Sequence, residues 1–370
     1  MKKFKLVLAL TSLLILVTVI RCSKSNDAAP LVGISGKVTY SDMNGTTQNA
    51  AGAVVYLAKS TTATTTYSQS TIAGSDGSYS FSNLPAAGYF INAVFNTDNK
   101  NTSARIDGVK FTTENGYLVT LANKALTQDI SLISVGQSTA QNVVVSYQYD
   151  STANDGAGGY TNTGAWTLDM VHSPITFSFP FFGQEADFGG SFLVCNKVKL
   201  NINTASLSTS SILAWVDLAS INTGTPGGRD NLPYTTSNTY SMITPSTMFS
   251  KLGCISNTFG ILADSAAGYK HTSLTSSTRL AKFVSTSIST YGDGYVALGN
   301  LTFHSVTKPV SMIFNFTQTY PTGASGFPAN KTYLGIQGKM VLNAQGDFGI
   351  TSSDVGSSPV TVYVTLNVYQ

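Results

Sequence analysis

Apolar and polar positions alternate along most of this chain with a period of two, the beat of β-strands with one dry and one wet face. Ile34 to Tyr40 opens the series and Ala53 to Ala58 repeats it. Tyr79 and Phe81 then alternate with serines, ahead of a further strand at Tyr89 to Phe95. Turn chemistry falls between them: Asn44-Gly45 and Asp76-Gly77 accept positive φ, and Pro85 to Gly88 breaks the chain. No stripe of helical period crosses residues 31–134, so the pattern predicts a small β-sandwich there. Residues 135–164 turn polar and glycine-rich around Asp155-Gly-Ala-Gly-Gly159, which predicts a linker, with one strand expected at Gln141 to Tyr149 whose sheet the pattern leaves open.

Alternation returns in residues 165–370. Ile175, Phe177, Phe179 and Phe181 share one face of a strand. Val310, Met312, Phe314 and Phe316 share another, and Leu334 to Leu342 and Val360 to Val368, with Leu366, repeat the pattern. Many long alternating strands in one domain predict a closed antiparallel barrel, because closure removes exposed edges, and about eight strands leave an interior that holds one ligand. An insertion at 231–278, rich in Ser and Thr, is too long for an idle loop and predicts a lid, with a short helix near Pro245 to Leu252. The expected fold is all-β: an N-terminal β-sandwich followed by a lipocalin-like antiparallel β-barrel.

Composition adds a compartment. Only 11% of the 370 residues are charged and 33 are glycine, so hydroxyls and amides must wet the surface. The first 21 residues read as an export signal: a basic start, an apolar run from Leu6 to Ile20, then Arg21-Cys22-Ser23. That run is short for a spanning helix of about 20 residues. Cys22 stands where an acylated cysteine would stand, and residues 22–30 resemble the polar tethers of Bacteroidetes-type lipoproteins, although Arg21 replaces the usual small residue. These features imply a cell-envelope protein held to a membrane by a lipid on Cys22. Without Lys2, Lys3, Lys5 and Arg21 the chain keeps 17 basic against 18 acidic residues, a balance that gives no attraction to nucleic acid. Cys195 and Cys254 are then the remaining cysteines, and either a disulfide or two buried thiols fits an exported chain.

Catalytic chemistry is thinly represented. His172, His271 and His304 show no paired spacing for a metal, and no nucleophile elbow or phosphate loop occurs, so neither enzyme activity nor a cofactor is expected. His172 and His304 read as rim or structural polar residues, and Arg229-Asp230 as an ion pair after its strand.

Two resemblances sharpen these expectations. Gly36-Lys-Val-Thr, Ala53-Val-Val-Tyr-Leu and Gly74 to Tyr89 resemble the carboxypeptidase regulatory-like family, which implies a transthyretin-like presentation module without peptidase residues. Trp166-Thr-Leu-Asp169 with His172-Ser173, Val216 to Gly224 with Arg229-Asp230, Phe283 to Thr286, and Gly299-Asn-Leu-Thr-Phe-His-Ser-Val-Thr-Lys-Pro-Val310 resemble the YceI-like family in order along the chain. Leu334-Gly335 and Asp347 to Ile350 complete the match. That resemblance implies a barrel binding a polyisoprenoid. Phe181 or Phe182 stands where the family often has histidine, which makes the expected site more apolar. Alternation and the resemblance together place Ile175, Phe177, Phe179, Val310, Met312, Phe314 and Leu366 on the lining. The expected partner is an isoprenoid-like lipid. The competing reading is a structural or adhesive surface protein with a self-filled barrel, meeting its partner, such as a glycan, through the sandwich.

Overall fold

The computed structural model describes residues 31–97, 106–150, 159–170, 172–180, 187–192, 195–218, 221–222, 280–303, 305–326, 328–350 and 359–370. Residues 1–30 with Cys22, residues 231–278 with Cys254 and His271, and Arg229, Asp230 and His304 lie outside the described residues. Chain packing separates two compact units. The first holds the described residues up to Thr39, with Asn49–Ala93 and Asn115–Ser131; the second holds Tyr40–Gln48, Val94–Glu114 and Leu132–Gln370.

Ten short strands come first: β1 (Val32–Ser41), β2 (Thr47–Asn49), β3 (Val54–Ala58), β4 (Gln69–Ile72), β5 (Ser78–Leu84), β6 (Ala87–Asn96), β7 (Lys110–Thr112), β8 (Tyr117–Leu121), β9 (Leu126–Thr127) and β10 (Ile130–Ser131). They form two five-stranded sheets, one around β1 and one around β6. In the first unit the alternating residues Ile34, Val38, Val55, Leu57, Phe81 and Ile91 are buried, the dry face that the pattern requires. Gly36 has a specific reason to be glycine: a Cβ there would lie 2.0 Å from the carbonyl oxygen of Gln128. The turn before β5 is held by Asp76, whose Oδ1 accepts from the Ser78 amide at 3.0 Å while Gly77 takes φ 77°. Hydrogen bonds from Ser78, helped by Lys37 at 3.5 Å, pull the Asp76 carboxyl down to about 2.

The second unit is built on β11 (Asn142–Asp150), β12 (Gly159–Asn162), β13 (Thr167–Asp169), β14 (Ile175–Pro180), β15 (Asp187–Phe192), β16 (Cys195–Asn203), β17 (Ser211–Asp217), β18 (Ile221–Asn222), β19 (Leu280–Tyr291), β20 (Gly294–Phe303), β21 (Val306–Phe316), β22 (Tyr333–Leu342) and β23 (Val360–Tyr369). Phe192 pairs with Ile221 and Cys195 with Val216, so β15 pairs antiparallel with β18 and β16 with β17, with a register shift between Cys195 and Lys197. From β17 the ladder passes through β19, β20, β21 and β22 to β23. Strand β23 then pairs on its other edge with β14, and β14 pairs with β15. The described strands therefore form one antiparallel ladder that leads from β16 round through β23 and β14 to β15 and β18, a sheet curled into a barrel-like wall.

Strand β11, expected at Gln141 to Tyr149, pairs with β16 from Asn142 to Gln148. Strand β13 occupies the edge of β23 beyond β14, with Thr167 opposite Tyr369. Trp166, just before β13, donates its amide to the Val144 carbonyl at 2.9 Å, which ties that end of the wall to β11. After β22 a single helical turn, α1 (Ala344–Phe348), is capped by Asn343, which accepts from the Gly346 amide at 2.9 Å, and ends at Gly349 with φ 67°. It buries Phe348 edge-on against Phe303, with ring centroids 5.3 Å apart.

Candidate functional site

Alternation along the strands of this ladder, broken by register shifts on β16 and β19, sends one set of side chains inward, and that set is apolar. Val198, Leu200 and Ile202 alternate with Lys197, Lys199 and Asn201 on β16; Ile212, Ala214 and Val216 alternate with Leu213 and Trp215 on β17. Ala281 and Phe283 come from β19, Leu301 and Phe303 from β20, and Met312 and Phe314 from β21. Ile336, Met340, Val362, Val364 and Leu366 complete the wall. These side chains do not fill the interior. They surround an apolar cavity of about 100 Å³, counted as the room left for the centre of a water-sized sphere.

Three of the inward positions around the cavity are small. Ala214, Ala281 and Gly338 stand on three different strands, where Leu or Phe would close the space. At Gly338 even a Cβ would approach the Met312 Sδ to 3.1 Å. Elsewhere the interior is filled by rings: Tyr295 stacks on Phe314 at 5.3 Å, and Phe316 meets Phe314 edge-on at 6.1 Å.

One lining side chain carries a heteroatom that can donate a hydrogen bond. The Cys195 thiol is buried and points to the Trp215 carbonyl, with Sγ 3.4 Å from the oxygen. Burial pushes the thiol up to about 12, so it stays neutral and a poor nucleophile at physiological pH. Cys254, with which a disulfide was one of two open possibilities, lies outside the described residues. Among the described residues no three His, Cys, Asp or Glu side chains come close enough to hold a metal ion.

The seven residues expected on the lining divide. Ile175, Met312, Phe314 and Leu366 contribute to the cavity wall. Phe177 and Phe179 are buried in the same core cluster, but they stack on each other at 6.5 Å and pack on Phe192 and Phe188, respectively, so they fill space instead of bordering it. Val310 is half-buried and packs on the cluster. His172 is at the surface, its Nδ1 2.8 Å from Asp169 Oδ2, and the Asn367 amide group donates to its carbonyl. Sequence reasoning passed over the β16 and β17 lining, although Val198-Lys-Leu-Asn-Ile202 alternates as plainly as the strands it selected.

Comparison with known proteins bears on this half of the chain. Residues 274–369, which span β19 to β23, match the YceI-like domain. A UPF0312 protein of Serratia proteamaculans (strain 568) is 37% identical over 92 residues, 24% of this chain, and the chain spans 42% of that relative's length. Among solved structures, Burkholderia cenocepacia BcnA aligns at 14% identity and a TM-score of 0.34, over 54% of this chain and 98% of its own. A Campylobacter jejuni YCEI protein aligns at 14% identity and a TM-score of 0.32, over 50% of this chain and 86% of its own. On the family match, this chain carries a YceI-like domain in its C-terminal region.

Proposed function

We propose that the barrel takes up one long apolar lipid of isoprenoid type, and that the chain does so as a cell-envelope protein anchored through acylated Cys22. The observation that carries this reading is the lining: more than twenty residues around the cavity, and one neutral thiol as the sole side-chain hydrogen-bond donor among them. Such a wall offers no charge and no general base, so it suits binding and not catalysis. It favours length over polarity in the guest. Each buried CH₂ contributes about 0.8 kcal/mol, so some ~15–20 buried carbons supply roughly 12–16 kcal/mol. That sum is needed against an association cost of about 4–15 kcal/mol. A short alcohol or acid could not meet it from apolar contacts alone. In this reading the N-terminal sandwich is a presentation module between the lipid anchor and the barrel.

Native mass spectrometry of the chain purified gently from its host tests the proposal. The expected result is a co-purifying apolar mass that is extracted by organic solvent and restored by adding a prenyl lipid. A ligand-free barrel that also fails to take up added prenyl lipid would overturn it, and bound glycan in that protein would favour an adhesive role.

A further inference from the structure

The outer wall of the cavity strands carries a second feature. Cross-strand pairing sets Gln148, Lys197, Trp215, Lys282, Thr302 and Thr307 in one row around the barrel, all facing away from the cavity. The next row holds Ser146, Lys199, Leu213, Val284, Asn300 and Pro309. Lys197 and Lys282 each place their ammonium 4.8 Å from the centroid of the Trp215 ring. The two rows contain three lysines and no carboxylate; Asp217 follows one row on, in register with Leu280. None of these lysines forms an ion pair among the described residues.

Each ammonium is attracted to the indole, but the two repel each other, and an anion placed over both relieves that repulsion. The neighbours narrow the choice of anion. Val284 is 45% exposed and Val144, beside Asn201 on β11, 37%, so the cations sit among exposed aliphatic side chains and a half-buried indole. That mixture of Trp, aliphatic residues and lysines with long apolar stems belongs to a membrane–water interface, where the ring lies at headgroup depth and the ammonium reaches the phosphate. A soluble polyanion would use the charge and gain little from the valines.

We infer that the Lys197–Trp215–Lys282 row, with Lys199, docks the outer wall of the barrel on an anionic phospholipid surface. The inference does not need the cavity to be occupied, and the two are measured separately. Each lysine near such a surface strengthens partitioning about fivefold.

Tryptophan emission reads the contact directly, because the chain has two tryptophans and the other, Trp166, is buried with its indole N–H bonded to the Asn142 carbonyl at 3.0 Å. The chain, purified as its host processes it, is added to vesicles of phosphatidylcholine alone or mixed with phosphatidylglycerol, each with brominated acyl chains. Any acyl anchor acts in both vesicles, so their difference reports the patch. Emission is expected to shift blue and be quenched with the anionic vesicles. The effect should vanish at about 1 M salt, where the Debye length falls to about 3 Å. Lys197→Gln/Lys282→Gln should weaken it about 25-fold with the melting temperature unchanged, and Trp215→Phe should remove the signal. Equal quenching in both vesicle types, indifference to the double substitution, or a response to heparin with none to vesicles would each overturn the inference. Prenyl-probe uptake, run in parallel, keeps failure of the cavity reading distinct.

Discussion

Ala214→Phe probes whether the barrel interior is a binding site. Ala214 points into the cavity from the middle of β17, between Ile212 and Val216 and beside its inward neighbours Val198 and Phe283 across the ladder. A phenyl group placed there enters atom-free space, and burying a side chain of that size contributes about 1.5–3 kcal/mol. In a filled core the same change would cost about 1–3 kcal/mol through off-rotamer strain. The two outcomes differ in sign. Each kcal/mol moves the melting temperature about 2–4 °C for a domain of this size, so the ligand-free variant should melt roughly 3–12 °C higher than the wild type. Binding should move the other way, because the ring occupies the volume that an acyl or prenyl chain needs. Titration with a dansyl-labelled farnesyl probe, next to thermal melting of delipidated protein, reads both. A lowered melt together with absent probe binding in the wild type would refute the cavity argument; a raised melt with undiminished probe binding would show that the guest sits elsewhere.

Other positions give sharper contrasts. Phe314→Ala should enlarge the cavity, change probe affinity and cost about 3 kcal/mol, the low end of the ~3–5 expected, since part of the ring already borders the cavity. Phe177→Ala should cost as much or more while leaving probe affinity unchanged, because its ring packs on Phe179 and Phe192 without bordering the cavity; equal effects of the two substitutions on binding would contradict that division. The Cys195 thiol, held up at about 12 by burial, should resist maleimide at pH 8 in native protein and react in denaturant; no reaction in denaturant until a reductant is added would instead reveal a bridge to Cys254. Asp76 should titrate near 2 by NMR. Its folded value lies below the unfolded one of 3.8, so its stabilising contribution is present above pH 4 and is lost as pH falls through 2; a Ser78→Ala chain in which the titration stays at 2 would exclude the Ser78 hydroxyl as a cause. Cys22→Ser should abolish labelling by a fatty-acid analogue, and equal labelling of both chains would sink the anchor.

Much of this architecture is written locally. A period of two needs no partner to be read, and it sorted Ile175, Phe177 and Phe179 from Thr176 and Ser178 before any pairing was known, just as Asp76-Gly77 marked its turn. Alternation states which face a residue shares; it cannot state what that face meets. Phe177 and Ile175 are two residues apart on the same face, yet one ring is used up on Phe179 and Phe192 while the other side chain borders a cavity. That difference depends on the volumes opposite them, and those come from strands far away in the chain. Ala214, Ala281 and Gly338 look unremarkable in their own segments, and they meet around one cavity only when the curled sheet brings their strands together. The Lys197–Trp215–Lys282 row has the same origin: three residues separated by 18 and 67 positions become neighbours because the registers of β16, β17 and β19 align them. Strand faces follow from the stereochemistry of consecutive residues, whereas the cavity and the outer patch follow from register and the curl of the sheet, which only the folded chain sets.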